Sequence, residues 1–238
     1  MVSGSNSLPQ KDVMDWVSNG TISFNSIIRA LQNQKAGVKD NEKFPLFEAQ
    51  KHFKEVMIVG GGPSVSNHLQ AIIHYLETHP QTAIIHASSK NAMYFQSLKN
   101  PQFFCLVGNE GNRLEKIFND LSDFKGVCVL PPFPRKMGTY VPTDVKPFTS
   151  ELDTINFTDK YKESHTSIAI QTALALQAEH IVLAGYDGYQ QMAMNDKEKD
   201  LFNENQYVLA KAKEKATVLS IVPTAYSVSL QSIYAMII

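Results

Sequence analysis

The apolar run Val56-Met57-Ile58-Val59 closes on three consecutive glycines, Gly60-Gly61-Gly62, and continues as Pro63-Ser64-Val65. No other stretch constrains the fold as tightly. Four apolar residues without polar alternation read as a strand buried on both faces, the condition of a parallel sheet covered on each side. The glycines that follow read as a tight turn into a helix. Strand, glycine turn and helix in that order present backbone N–H groups and a helix N-terminus together, an arrangement suited to a phosphate.

The same alternation runs on from Glu55. Short apolar runs at Val56 to Val59, Ala83 to His86, Phe103 to Val107, Val127 to Leu130, Ile181 to Ala184 and Val218 to Val222 are strand candidates. Between them, Val65, Leu69, Ile72, Ile73 and Leu76 make one helical stripe, and Leu114, Ile117, Phe118 and Leu121 another. Ile168 to Leu176 is apolar almost all round and predicts a deeply packed helix starting at Ser164-His165-Thr166-Ser167. A charged, half-exposed helix is expected from about Lys197 to Ala216. Pro131, Pro132, Pro134, Pro142 and Pro147 break periodicity between 131 and 161, which reads as a long loop or lid. The expected fold is α/β, Rossmann-like, a mainly parallel sheet of about six strands with helices on both faces.

Ahead of this domain, two short helices are predicted at Pro9 to Val17 and Ser23 to Gln32, joined at Asn19-Gly20. Phe24, Ile27, Ile28 and Leu31 share one face of the second, with Ser23 placed as its N-cap. The pair has too little apolar surface to fold alone. It is expected to pack through Trp16, Phe24, Ile28 and Leu31 on the main domain or on a second chain, which would make a homo-oligomer. The polar stretch from Asn33 to Lys43 reads as a linker, giving a helical segment over 1–44 and the α/β domain over 45–238.

With 238 residues the chain can bury a full core without covalent staples. Its 22 basic and 23 acidic residues nearly cancel and form no long block, which excludes the electrostatic footprint of a nucleic-acid or anionic-membrane binder. Cys105 and Cys128 both sit in apolar runs, as reduced core thiols do. The start lacks the apolar core of a signal peptide, so the expected compartment is the cytoplasm.

The candidate chemistry gathers at the ends of strands. Backbone amides of Gly61 to Ser64 are placed for an anion, with Gly60 and Pro63 completing the turn. A dinucleotide fingerprint wants a third glycine where Val65 stands and a carboxylate where Ser88-Ser89-Lys90 stand, which disfavours NAD and suits a phosphate or sugar hydroxyl. A packing role alone, letting the first helix sit close on the sheet, is the competing reading of these glycines. Gly62-Pro63-Ser64 is no nucleophile elbow, because the glycine required two residues later is Ser66. The histidines lack metal-ligand spacing, so no metal is expected. Two further places lie where strand ends should meet a ligand, the turn Gly108-Asn109-Glu110-Gly111-Asn112 after the third strand, with Asn109 as its candidate, and Ser164, Thr166 and Ser167 combined with Gly185-Tyr186-Asp187-Gly188-Tyr189. His165, at a helix N-terminus, and Asp187, at a strand end, are the candidate catalytic groups, as acid, base or hydrogen-bond partner. Their bland alternatives are a solvated cap neighbour and a turn residue.

Two resemblances follow from these residues. The turn Ile58 to Val65, with Ser167 to Leu176 and Ile181 to Asp187, is similar to the two-part pattern of the DUF115 (MptE-like) proteins and resembles that of Campylobacter-type bacterial sialyltransferases. Where those sialyltransferases carry an asparagine between the first two glycines, this chain has Gly61. This resemblance implies a diphosphate or nucleotide-sugar held over the glycine turn and the second motif. The stretches Lys11 to Val17 and Ser23 to Gln32 resemble the segment that follows the catalytic barrel in bacterial aldolases of the pyruvate-carboxyltransferase (HMG-CoA-lyase-like) family. That likeness implies the C-terminal domain of an aldolase, its barrel partner being absent here.

The combined expectation is an accessory domain of such an aldolase that binds a phosphorylated small molecule, a nucleotide-sugar or sugar phosphate. The alternatives are an independent glycosyl- or diphospho-transferase and a non-catalytic oligomerisation scaffold.

Overall fold

The structure is a computed structural model that describes residues 42–118, 121, 124–135, 138–189 and 194–237. The expected helix pair and nearly all of its linker lie outside the described residues.

The strands are β1 (Glu55–Val59), β2 (Ala83–His86), β3 (Gln102–Cys105), β4 (Val127–Leu130), β5 (Thr149–Glu151), β6 (His180–Ala184), β7 (Thr217–Ser220) and β8 (Ser229–Leu230). They form one eight-stranded sheet in the order β5-β4-β3-β2-β1-β6-β7-β8. Every neighbouring pair is parallel. The helices are α1 (Ser64–Asn67), α2 (Leu69–Thr78), α3 (Glu110–Phe118), α4 (His165–Ala175), α5 (Asp196–Ala212) and α6 (Ile233–Met236).

The continuous apolar runs are explained by cover on both faces. Val56 and Ile58 point into a core with Ile168, Leu183 and Val208, beneath α4 and α5. Met57 and Val59 point the other way, onto Ile72, Leu76 and Val182 beneath α2. Phe104, Leu114 and Leu130 fill the space under α3. Cys105 and Cys128 are free and buried in these layers, and burial pushes the Cys128 thiol up to about 12.

The Rossmann-like α/β fold is as expected, with two strands more than the apolar runs disclose. Stretch 131–161 is not a structureless loop: it holds a 3₁₀ helix (Thr143–Phe148) and β5. Thr149-Ser150-Glu151 has no apolar pattern, and its strand character comes from its neighbours. One edge pairs with β4. On the other, Phe47 N–H donates to Glu151 O at 2.8 Å and Glu151 N–H to Pro45 O at 2.9 Å. The Arg135–Glu151 ion pair, 2.8 Å long with both side chains buried, pins the corner. The first helix is also interrupted, since His68 (φ −115°, ψ 19°) separates α1 from α2. No helix among the described residues is long and apolar enough to cross a membrane.

Candidate functional site

In a parallel sheet all carboxyl ends lie on one edge, and a crevice opens where the strand order reverses. Here β1 is followed by β2 on one side and flanked by β6 on the other, so the reversal falls between β1 and β6. A cleft of about 380 Å³ lies there, walled by the glycine turn, the residues after β2 and β6, and the first residues of α3 and α4.

The glycine turn is first a latch between β1 and β6. Gly60 N–H donates to Ala184 O at 2.8 Å and Gly62 N–H to Gly185 O at 2.9 Å. Ser64 N–H donates to Asp187 Oδ2 at 3.1 Å, so a carboxylate of the protein itself meets the first amide of α1. Asn91 Nδ2 ties the turn from the other side, donating to Gly60 O at 2.8 Å and Gly62 O at 3.2 Å. The close approach is why glycine is needed. A Cβ on Gly62 would overlap the Asp187 carboxylate and stand 2.6 Å from Gly185 O. Gly185 has φ +74°, and a Cβ there would stand 2.8 Å from Gly60 O. Of the amides from Gly61 to Ser64, Gly62 and Ser64 are therefore engaged within the protein and Pro63 has none. Ser88 Oγ and the Lys90 stem lie beside Gly61, 3.3 and 3.7 Å from where its Cβ would stand.

Beside Gly61 the cleft is polar and charged. Glu110, 4% exposed, stands at the first position of α3. Its Oε2 accepts from Ser89 N–H at 2.9 Å, its Oε1 accepts from Arg113, and Oε1 lies 3.4 Å from His165 Nε2. Burial pushes this carboxyl up, but His165, Arg113 and the Ser89 amide together outweigh it and hold it down at about 2. Arg113 Nη1 also donates to Ser88 Oγ at 3.1 Å. His165 thus lines the cleft with its Nε2 set against a carboxylate that is ionised at neutral pH, an arrangement that can orient an acid or base.

The opposite wall is aromatic. Thr166 Oγ1 donates to Asn205 Oδ1 at 2.5 Å and lies 3.4 Å from Tyr186 Oη. Asn205 Nδ2 donates to Tyr226 Oη at 3.1 Å. Burial pushes both phenols up, Tyr226 to about 12, so neither is a base near neutrality.

Of the residues singled out from sequence, Gly60, Gly61, Gly62, Pro63, Ser88, Lys90, His165, Thr166 and Asp187 line this one cleft. The others stand behind it or aside. Ser64 is buried under the turn. Ser89 is buried beside the cleft, its amide holding Glu110. Ser164 caps α4, its Oγ accepting from Ser167 N–H at 3.0 Å and donating to Ser167 Oγ at 3.0 Å. Both serines are thereby engaged with each other. Asn109 is exposed and bonds to Asn112. Glu110 lies in the turn after the third strand that was expected to meet the ligand and lines the cleft, although no role was given to it; Arg113, Asn91, Asn205 and Tyr226 were not singled out. Glu110 and Arg113 share one helical face at three-residue spacing, the trace of their pairing in sequence. Among the described residues no three His, Cys, Asp or Glu side chains converge as a metal set.

Fold and site together define a Rossmann-like α/β domain with a polar cleft at its topological switch point. No protein-family model matches the chain, and no curated protein matches it in sequence. Among solved structures it is similar to the MAf glycosyltransferase from Magnetospirillum magneticum AMB-1, with a TM-score of 0.54 and 12% sequence identity over 88% of this chain. The chain spans 38% of that protein's length. At this identity the likeness is one of fold. None of these comparisons supports the aldolase resemblance, whose residues also lie outside the described part.

Proposed function

We propose that this chain is the donor-binding domain of a glycosyltransferase and takes a nucleotide-sugar or other glycosyl phosphate in the cleft. The observation that carries this reading is the juxtaposition of two cations, Lys90 and Arg113, around Ser88 with a histidine held by the buried Glu110 carboxylate. Cations and a hydroxyl are the chemistry of phosphate recognition, and an oriented imidazole is that of proton transfer. A fold shared with a glycosyltransferase supports the same reading. The cleft volume falls within the roughly 300–1,000 Å³ of small-molecule sites.

In this reaction an acceptor hydroxyl oxygen bonds to the anomeric carbon as the bond from that carbon to the phosphate oxygen breaks. The phosphate leaves with the electron pair, and Lys90, Arg113 and Ser88 meet its charge. The acceptor proton passes to His165 Nδ1, because Nε2 faces Glu110 Oε1 at 3.4 Å, and the imidazolium so formed is stabilised by Glu110. The test is titration calorimetry with a panel of nucleotide-sugars and nucleoside diphosphates. At least one should bind, and Lys90→Ala combined with Arg113→Ala should weaken it by about 100-fold, the value of two charge-assisted contacts. Absence of binding by the whole panel, or binding indifferent to the double substitution, overturns the reading.

A further inference from the structure

A second hollow lies on the same sheet edge, beyond the start of α4. It measures about 200 Å³ and is formed by the loops that follow β4 and β5 and by the two residues that lead into Ser164 and His165. One wall is apolar, made of Pro132, Phe133 and Pro134. The rest of the lining is Asp153, Thr154, Ile155, Lys162 and Glu163. Two cations lie over the Phe133 ring, Lys43 Nζ at 5.1 Å and Arg135 at 5.5 Å from its centre, and Arg135 is itself buried and paired to Glu151.

We propose that this hollow is the acceptor subsite and takes a single hydroxylated sugar unit. The inference rests on the glycosyl-transfer reading above. A transfer reaction needs two substrates on either side of the group that moves the proton. The donor cleft and this hollow share no wall residue, yet the chain passes from the hollow's Lys162 and Glu163 through Ser164 to His165 in the donor cleft. A pyranose presents hydroxyls that both donate and accept, together with apolar C–H patches. A carboxylate accepts, an ammonium donates, a threonine hydroxyl does both, and proline and phenylalanine rings cover the C–H face. The hollow is smaller than sites for drug-sized ligands, roughly 300 Å³ and up, which fits one ring and excludes a nucleotide. The acceptor hydroxyl that extends from it toward His165 gives up its proton there as its oxygen bonds to the donor's anomeric carbon and the phosphate departs with the electron pair.

The experiment uses the full chain labelled with nitrogen-15, titrated with methyl glycosides of galactose, glucose and N-acetylglucosamine. At least one should shift the amides of Asp153, Thr154, Lys162 and Glu163, and Asp153→Ala with Lys162→Ala should abolish those shifts while leaving the melting temperature unchanged. In a transfer assay the same substitutions should raise the acceptor KM about 100-fold, the value of two lost hydrogen bonds to charged groups. The rate at which water alone cleaves the donor should stay as it was. Shifts confined to the donor cleft, no shift with any of the three, or an acceptor KM within twofold of wild type overturns the subsite. Because the glycoside titration needs no donor, it is decided even where the donor panel fails, and donor binding without glycoside binding leaves the first reading standing alone.

Discussion

Glu110 and His165 show how a burial cost and its compensation create a functional pair. A carboxylate almost out of water is unfavourable unless donors surround it, and Glu110 has three: the Ser89 amide, the Arg113 guanidinium and the His165 ring. We predict that Glu110→Gln lowers kcat for glycosyl transfer by roughly 10–100-fold with donor affinity little changed, and that His165→Asn lowers it by about 10²–10⁴-fold, the span of one general acid or base. A positioning role for Glu110 carries a further readout, since its removal should displace the acidic limb of the pH–rate profile, while a merely structural role would leave that limb in place. His165 was legible from its place at a helix start beside a polar quartet. Its pairing with Glu110 was not. Glu110 reads in sequence as one acid at the start of a helix, and only the return of the chain from β5 to α4 brings the two together.

At the scale of elements, the turn between β1 and α1 works with the turn after β6 as one unit, glycine against glycine. Its two outer glycines and its middle one have different duties, and substitution separates them. A methyl group on Gly62 would meet the Asp187 carboxylate and the Gly185 carbonyl, neither of which can retreat without loosening the latch. On Gly61 it would meet Ser88 Oγ at 3.3 Å and Lys90 Cδ at 3.7 Å, the flexible ends of side chains. Gly62→Ala should therefore destabilise the fold by about 1–3 kcal/mol in urea unfolding, the usual cost of overpacking. Gly61→Ala should leave the urea midpoint close to wild type and weaken donor binding instead. The reverse ranking would show that the anion meets the turn elsewhere. Asp187→Ala removes the acceptor of the Ser64 amide and should cost about 1 kcal/mol, as a lost helix cap does.

The elements themselves were unevenly legible. The six inner strands announce themselves because both faces are buried, so every residue of Met57-Ile58-Val59 or Cys128-Val129-Leu130 must be apolar. Edge position removes that demand, which is why β5 and β8 leave no mark: Thr149-Ser150-Glu151 is specified by its backbone partners and by Arg135, and Ser229 and Leu230 are both exposed. The break at His68 falls inside an unbroken apolar stripe, and no residue there forbids a helix.

For the molecule as a whole, acid is the condition that should find its weak point, at the centre of the sheet. His86 ends β2, fully buried, with its ring stacked on Phe104 at 4.4 Å and its Nε2 2.9 Å from Gln102 Oε1. Burial lowers its pKa from 6.5 to about 4, against the smaller opposing effect of the Gln102 hydrogen bond. The unfolded chain therefore takes up this proton first. Stability is complete above pH 6.5 and falls as the pH drops toward 4, by roughly 3 kcal/mol across that window. Glu110 acts in the same direction lower down: its folded pKa of about 2 lies below the ordinary 4.5, so the stability it supplies above pH 4.5 is lost as the pH falls toward 2. Urea unfolding between pH 7 and pH 4 should thus show a steadily falling midpoint. His86→Gln keeps an amide that can donate to Gln102 and removes the titration, so its midpoint should be lower at pH 7 yet nearly level down to pH 4.5, where only carboxylates remain to be protonated. A wild-type midpoint at pH 4.5 equal to that at pH 7 would mean that His86 accepts its proton inside the folded sheet and that the core opens there more readily than its packing implies.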